Sequence, residues 1–294
     1  MKLLGIVLAV QVVLGLTLVA LVATDNLPFT GDGEADGSTA PAAAVDRFDG
    51  AAAFRLLRRQ VELGPRPAGS PASRRLADLL QRIVPRGRYQ DVPGGLRNVI
   101  GTVRGREPGY IVVGAHYDTK DIPGFVGAND GASGTAVVAQ LARTIRRPRH
   151  TIRFVFFDGE ESPRNASDAD FQEKGLRGSK VAAAAFSRAR AMVLLDFVGD
   201  RELTIRYESN SSPALWRRLR DAARRAGAIR FFPEGNQGPI SDDHIPFLRR
   251  GVPSIDLIDF DFPCWHRRCD DMSAVSARSV NAVGETVLRL VRDL

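Results

Sequence analysis

The chain has 294 residues, 44% hydrophobic, 26% charged and 7% aromatic, the proportions of an ordinary globular protein. They exclude wholesale disorder, a collagen-like repeat and a polytopic membrane protein, and two cysteines are too few for a disulfide-built scaffold. The formal charge of +7 comes almost wholly from Arg dispersed through helical patterns, a solvated basic surface rather than a nucleic-acid footprint, with contact to an anionic envelope surface as the functional alternative.

Residues 3–23 carry no charge and reach the length of about 20 residues that a helix needs to cross a bilayer. A cleaved signal has a shorter apolar core and a small-x-small site, so an uncleaved membrane anchor is expected, with secretion if the segment is removed. Lys2 precedes it and Asp25, Asp32, Glu34 and Asp36 follow, which directs the rest of the chain outside the cytoplasm. The expected organisation is an anchor or signal at 1–23, a flexible Gly-, Ala- and Pro-rich linker at 24–45, and one catalytic-type domain at 46–294.

In that domain Phe54, Leu56, Leu57, Val61 and Leu63 predict a first helix ended by Gly64 and Pro65. Ser70 is the expected N-cap of a second helix through Leu76, Leu79, Leu80 and Ile83. Beyond them strands are predicted at 98–103, 110–114, 152–157, 192–195, 203–207 and 254–258. Helices are predicted at 132–145, 179–186, 213–226 and 276–292. Apolar runs alternating with helices mean an α/β layered fold around a buried, largely parallel sheet.

In such sheets ligands bind beyond the carboxyl ends of the strands, and there the polar residues are not random. His116 and Asp118 follow the strand at 110–114, Asp130 precedes a helix, Glu160 and Glu161 follow 152–157, and Asp196 follows 192–195. Asp242, His244, Trp265 and His266 lie toward the C-terminus. Each piece alone is ordinary: a hydrogen-bonded His-x-Asp pair, a turn, a pair of solvated acids. Together they call for a cation, because converging carboxylates repel one another. His116, Asp130, Glu161, Asp196 and His266 offer nitrogen and oxygen ligands suited to Zn2+, as one ion or as two sharing a carboxylate. Glu160 is left free for proton transfer. His150, with no acid beside it, is read as structural.

The motifs His116-Tyr117-Asp118-Thr119-Lys120, Phe125-Val126-Gly127-Ala128, Phe156-Phe157-Asp158-Gly159-Glu160-Glu161 and the run from Asp242 to Pro253 carry a resemblance. Over 98–294 the chain resembles the zinc exopeptidases of the co-catalytic aminopeptidase clan, which includes secreted bacterial aminopeptidases and the animal-type glutaminyl-peptide cyclotransferases. The resemblance implies a three-layer α/β/α zinc-exopeptidase (phosphorylase/hydrolase-like) fold with a largely parallel mixed sheet. It implies metal ligation by His116, Asp130, Glu161, Asp196 and His266, with Asp130 bridging. It implies Glu160 as acid/base and Asp118 as the acid that orients His116. Asp196 corresponds to the second-metal ligand of the aminopeptidases or to a hydrogen-bonding acid of the cyclases. Asp242 corresponds to a catalytic acid of the cyclases, with His244 behind it and Trp265 in the substrate pocket. Cys264 and Cys269 correspond to a small disulfide loop of the secreted aminopeptidases, two reduced thiols being the alternative. One departure is Ser162-Pro163-Arg164-Asn165-Ala166, where the cyclases carry a pocket aromatic.

The activity implied is that of a zinc enzyme acting on peptide or protein N-termini. The leading form is glutaminyl-peptide cyclotransferase, converting N-terminal Gln to pyroglutamate with release of ammonia. The alternatives are a zinc aminopeptidase and, less favoured, a non-catalytic binding ectodomain. A monomer is expected, with membrane association through the N-terminal segment and no nucleic-acid partner.

Overall fold

The structure, a computed structural model, describes residues 47–294. The anchor expected at 3–23 and the linker at 24–45 lie outside the described residues. Among the described residues no helix is long and apolar enough to cross a membrane.

Two helices come first, α1 (Gly50–Val61) and α2 (Pro71–Ile83). Asp49 caps α1 by accepting the Ala52 amide at 2.8 Å. Ser70 caps α2 through the Ser73 amide at 3.1 Å, with Pro71 at the first helical position, where no amide hydrogen is needed. The sheet has strands β1 (Arg88–Val92), β2 (Leu96–Val103), β3 (Glu107–His116), β4 (His150–Phe157), β5 (Met192–Leu195) and β6 (Ser254–Leu257). Their order is β1-β2-β4-β3-β5-β6. β2 runs antiparallel to both of its neighbours, and the β4-β3-β5-β6 half is parallel. The remaining helices are α3 (Ala132–Thr144), α4 (Phe171–Lys174), α5 (Arg177–Ala185), α6 (Pro213–Arg225), α7 (Ile245–Leu248) and α8 (Ala277–Asp293).

Alternation along β3 builds the layers. Ile111, Val113 and Ala115 enter one core with α1, α2, α3, α6 and α8. Val112 enters the other, with α5 residues Ala182 and Ala183 and with Phe247 of α7. This is a three-layer α/β/α fold, because parallel strands must be covered on both faces. The helices following β3 and β4 leave for opposite faces, which opens a crevice at the carboxyl ends of these adjacent strands.

Two strand expectations need correction. Residues 203–207 form no strand. Leu203 and Ile205 are buried in the core, but only Tyr207 makes a bridge, to Asn236; apolar alternation reports burial, not pairing. Conversely, the sequence reading passes over β1. Its half-exposed Arg-Tyr-Gln-Asp-Val segment is a charged edge strand without the apolar run of a central one.

Candidate metal centre

Each strand end delivers polar side chains to the crevice. His116 is the last residue of β3, Glu160 and Glu161 follow β4, and Asp196 follows β5. Asp130 immediately precedes α3, whose N-cap Gly131 has φ 87°, a conformation glycine adopts without penalty. One turn on, a Cβ on Gly134 would lie 2.1 Å from the Leu195 carbonyl oxygen, so only glycine lets α3 approach β5 this closely. These glycines bring Asp130 and Asp196 together.

The side chains form two groups with one member in common. His116, Asp130 and Asp196 make one; Asp130, Glu161 and His266 make the other. Within each, one nitrogen or oxygen per residue lies within 4.8 Å of the rest. Asp130 divides its oxygens, Oδ1 at 3.3 Å from His116 Nε2 and Oδ2 at 3.6 Å from His266 Nε2. Asp196 Oδ1 is 3.1 Å from His116 Nε2, and Glu161 Oε1 is 3.1 Å from His266 Nε2. Asp130 Oδ2 is buried without a hydrogen-bond partner, a costly state that a cation relieves. The donors are imidazole and carboxylate, and both cysteines are taken up in the Cys264–Cys269 disulfide. The residues therefore fit a divalent metal of the zinc type.

The electrostatics agree. Burial disfavours charge on the His116 ring, but Asp196, Asp118 and Asp130 override it and hold the ring well above the usual imidazole range. Burial, with the Glu161 charge nearby, pushes Asp130 up to about 6. Burial likewise pushes Asp243 up to about 7 and Asp270 up to about 8. The metal-free folded protein thus keeps protons that the unfolded chain releases above pH ~4, so its stability falls as pH rises toward 8. With chelator present, Tm should drop from about pH 5 to about pH 8, and added zinc should raise Tm more at the higher pH. A chelated protein whose Tm holds or climbs over that interval would contradict this assignment.

Glu160 stands outside both groups. Its Oε2 is 4.0 Å from His116 Nδ1. Burial, with Glu161, Asp242 and Asp243 around it, holds its carboxyl well above the ordinary value. Glu160, Asp242, Trp265 and all the ligand candidates except His116 line one cavity of about 250 Å³, whose walls include Phe171, Phe197, Ile240, Ile258 and Phe260. Trp265 is 42% exposed at the rim and stacks on the His266 ring at 4.6 Å. No aromatic follows directly on Glu161, yet Phe171 of α4 returns to the pocket from further along the chain. His266 holds φ 52°, a left-handed conformation that costs a non-glycine residue energy, inside the loop closed by the disulfide.

Further side chains support the two groups. Asp118 lies 3.8 Å from His116 Nδ1, too far for a hydrogen bond. It keeps ion-pair distance to that ring, and its oxygens also accept the backbone amides of Glu160 and Glu161, both at 3.2 Å, so it clamps the turn that carries the acid/base candidate. His244 does not reach the pocket; its Nε2 faces Glu208 at 3.2 Å. Asp270 was missed. It accepts the Asn129 and Asp130 amides at 2.6 and 3.0 Å and so fixes the turn bearing the shared ligand. The wholly buried Arg66 was missed too; it donates to the Val126 and Gly127 carbonyls at 2.8 and 3.2 Å. Neither residue stands in a motif. Only adjacency to Cys269 singles out Asp270, and nothing local singles out Arg66.

Comparison with known proteins places this geometry. The family model described as Peptidase family M28 matches residues 98–291. Glutaminyl-peptide cyclotransferase of Bothrops jararaca is 31% identical over 216 residues, which cover 59% of this chain and 59% of the relative. The chain thus spans about 59% of the length of the curated relatives it matches first. Among solved structures, a leucine aminopeptidase precursor from Bacteroides thetaiotaomicron superposes with TM-score 0.75 at 27% identity, covering 85% of this chain and 99% of that one. Acidobacteriales bacterium glutaminyl cyclase gives 0.72 at 31% identity, covering 84% and 94%. With its sheet, crevice and paired ligand groups arranged in this way, the chain belongs to peptidase family M28.

Proposed function

We propose that the protein is a zinc-dependent glutaminyl-peptide cyclotransferase acting on peptides with N-terminal Gln. The observation that carries this reading is the cavity itself. Glu160 and Asp242, neither in a ligand group, share a small aromatic-walled pocket with the complete Asp130, Glu161 and His266 set. Similarity to proteins named glutaminyl-peptide cyclotransferase supports it. Zinc held by Asp130, Glu161 and His266 would supply Lewis-acid polarisation of the substrate's side-chain amide carbonyl.

The chain's own residues would do the rest. The pocket aromatics enclose the Gln side chain and exclude water. Glu160 accepts a proton from the substrate's α-amine as that nitrogen bonds to the side-chain carbonyl carbon. It then returns the proton to the departing amide nitrogen, which leaves as ammonia. Asp242 and Asp196 line the same pocket and would orient the nitrogens.

A second reading, zinc aminopeptidase, is favoured by one specific feature: both ligand groups are complete and share Asp130, as a two-metal hydrolase requires. Glu160 would then take its proton from water. We place the catalytic domain at 46–294 outside the cytoplasm, since the Cys264–Cys269 disulfide suits an oxidising compartment, with 24–45 as linker and 1–23 as anchor or signal.

The test is mass spectrometry of two peptides, one starting with Gln and one with Leu, incubated with zinc-loaded protein. Loss of ammonia from the first with the second untouched is expected. Release of free Leu from the second would replace the cyclase with the aminopeptidase. If neither peptide changes while zinc is bound, the N-terminal substrate class is wrong.

A further inference from the structure

The edge of the sheet away from the crevice carries a different chemistry. β3 and β4 end at the crevice with His116 and Phe157, so β4 begins at the far edge with His150. β2 is antiparallel to β4 and ends there. α3 starts beside Asp130 and runs away from the crevice for 13 residues, about 20 Å at 1.5 Å per residue. Two grooves open on this far edge. The first, of about 720 Å³, lies among α1, α2 and the end of α3, and Arg55, Arg59, Arg143 and Arg146 line it. The second, of about 360 Å³, lies where β1 and β4 begin and β2 ends. Arg86, Arg88, Arg104 and Arg153 line it, with the hydroxyls of Thr102 and Thr151. The segment from Val84 to Arg86 connects the two grooves.

This positive charge is not balanced locally. Among the described residues no carboxylate forms an ion pair with any of these arginines. Glu107, at the same edge, is already held by Arg149 at 2.8 Å. Asp49 is the one acid lining either groove, and its carboxylate accepts the Ala52 amide. Arg153 donates to Thr102 Oγ1 at 2.8 Å, while its Nε is buried without a hydrogen-bond partner. Burial, with Arg88 and Arg104 beside it, lowers the Arg153 guanidinium below its usual range. Like charges gathered in this way repel one another, and an anion relieves the repulsion.

Two observations select the anion. Residues 1–46 enter the domain at this edge, where α1 starts and Asp49 lines the first groove. Their uncharged stretch 3–23 has the length that spans a bilayer. The face also lacks aromatic platforms. Among the described residues the exposed large hydrophobics are Phe260 and Trp265, and both line the catalytic pocket. Single-stranded nucleic acid is held by stacking on such platforms, whereas lipid phosphates need only basic side chains.

We propose that this arginine face docks on the phosphate headgroups of an anionic lipid bilayer. Docking there turns the crevice away from the membrane and leaves it open to peptides. It goes beyond the reaction assigned above and holds for either form of it.

The test is arginine footprinting with phenylglyoxal on the full-length, zinc-loaded protein, read by mass spectrometry. The protein is mixed with phosphatidylcholine vesicles, with vesicles of phosphatidylcholine and phosphatidylglycerol, or with inorganic phosphate at the same total phosphate. Protection of Arg55, Arg59, Arg143 and Arg146 by the mixed vesicles alone is expected, with the exposed crevice-side Arg164 and Arg268 still reactive. Insertion of residues 3–23 cannot mimic this, because it tethers the domain to both kinds of vesicle. The protection should fade as salt shortens the screening length from about 10 Å at 0.1 M to about 3 Å at 1 M. A basic side chain near an anionic surface is worth about fivefold in partitioning, so Arg143→Gln with Arg146→Gln should lower the docked fraction of Arg55 and Arg59 relative to the free by about 30-fold. Turnover of a soluble peptide should not change. Equal reactivity with the two kinds of vesicle overturns the proposal, as does equal protection of Arg164 and Arg268. Protection by inorganic phosphate alone assigns the grooves to a small anion and also overturns it. If wild type turns over neither peptide, the functional reading falls while the footprint still decides this one.

Discussion

Glu160→Gln should keep the full zinc content of the wild type and lose turnover by about 10²- to 10⁴-fold, the contribution of a positioned acid/base. The substitution is nearly isosteric. It leaves both ligand groups intact, since Glu160 belongs to neither. It leaves the Asp118 clamp intact as well, because that clamp grips the Glu160 backbone amide and not the side chain. What is lost is the ability to take a proton. Folding should not suffer. Burial, reinforced by Glu161, Asp242 and Asp243, already works against an ionised carboxylate here, and a neutral amide avoids that repulsion. Metal analysis beside steady-state kinetics makes the check. A zinc-loaded Glu160→Gln protein that still turns over would remove Glu160 from the chemistry under either reaction.

Asp130→Ala should abolish zinc binding altogether, a larger change in metal content than any other single ligand substitution. His266→Ala deprives one ligand group and Asp196→Ala the other, but Asp130 belongs to both. Its effect on the metal-free protein should have the opposite sign. Raising a buried carboxyl from 3.8 to about 6 means that its ionised form opposes folding by about 3 kcal/mol at neutral pH. Chelated Asp130→Ala should therefore be no less stable than chelated wild type near pH 8, while gaining nothing from added zinc. Wild-type zinc stoichiometry in this variant would show that the groups do not share a ligand.

Much of the fold is legible locally. Val112 and Val113, or Phe154 to Phe157, are apolar runs that a parallel sheet buries on both faces. Ser70 marks a helix start by side-chain chemistry that needs no tertiary contact. The edge strand β1 and the 203–207 segment, which forms no strand, mislead for the same reason: local hydrophobicity records burial, and strand pairing depends on what lies alongside. The candidate ligands are also legible, because each is a polar residue at the end of an apolar strand or the start of a helix. Asp118 shows the limit. Its place two residues after His116 proposes a pairing with that ring, which stands at 3.8 Å, but nothing local tells that its oxygens also hold amides 42 and 43 positions away.

The sequence by itself determined the α/β class, the strand ends at which charge collects, and the candidate ligands His116, Asp130, Glu161, Asp196 and His266. Only the tertiary structure decided which of those residues stand on each side of Asp130, whose shared place the resemblance implies. It also decided that Asp270 and Arg66 brace the Asp130 turn. The reason is physical. A buried charge persists only where a partner meets it, and here the partners lie as far apart in the chain as Asn129 and Asp270, beyond the reach of any local pattern.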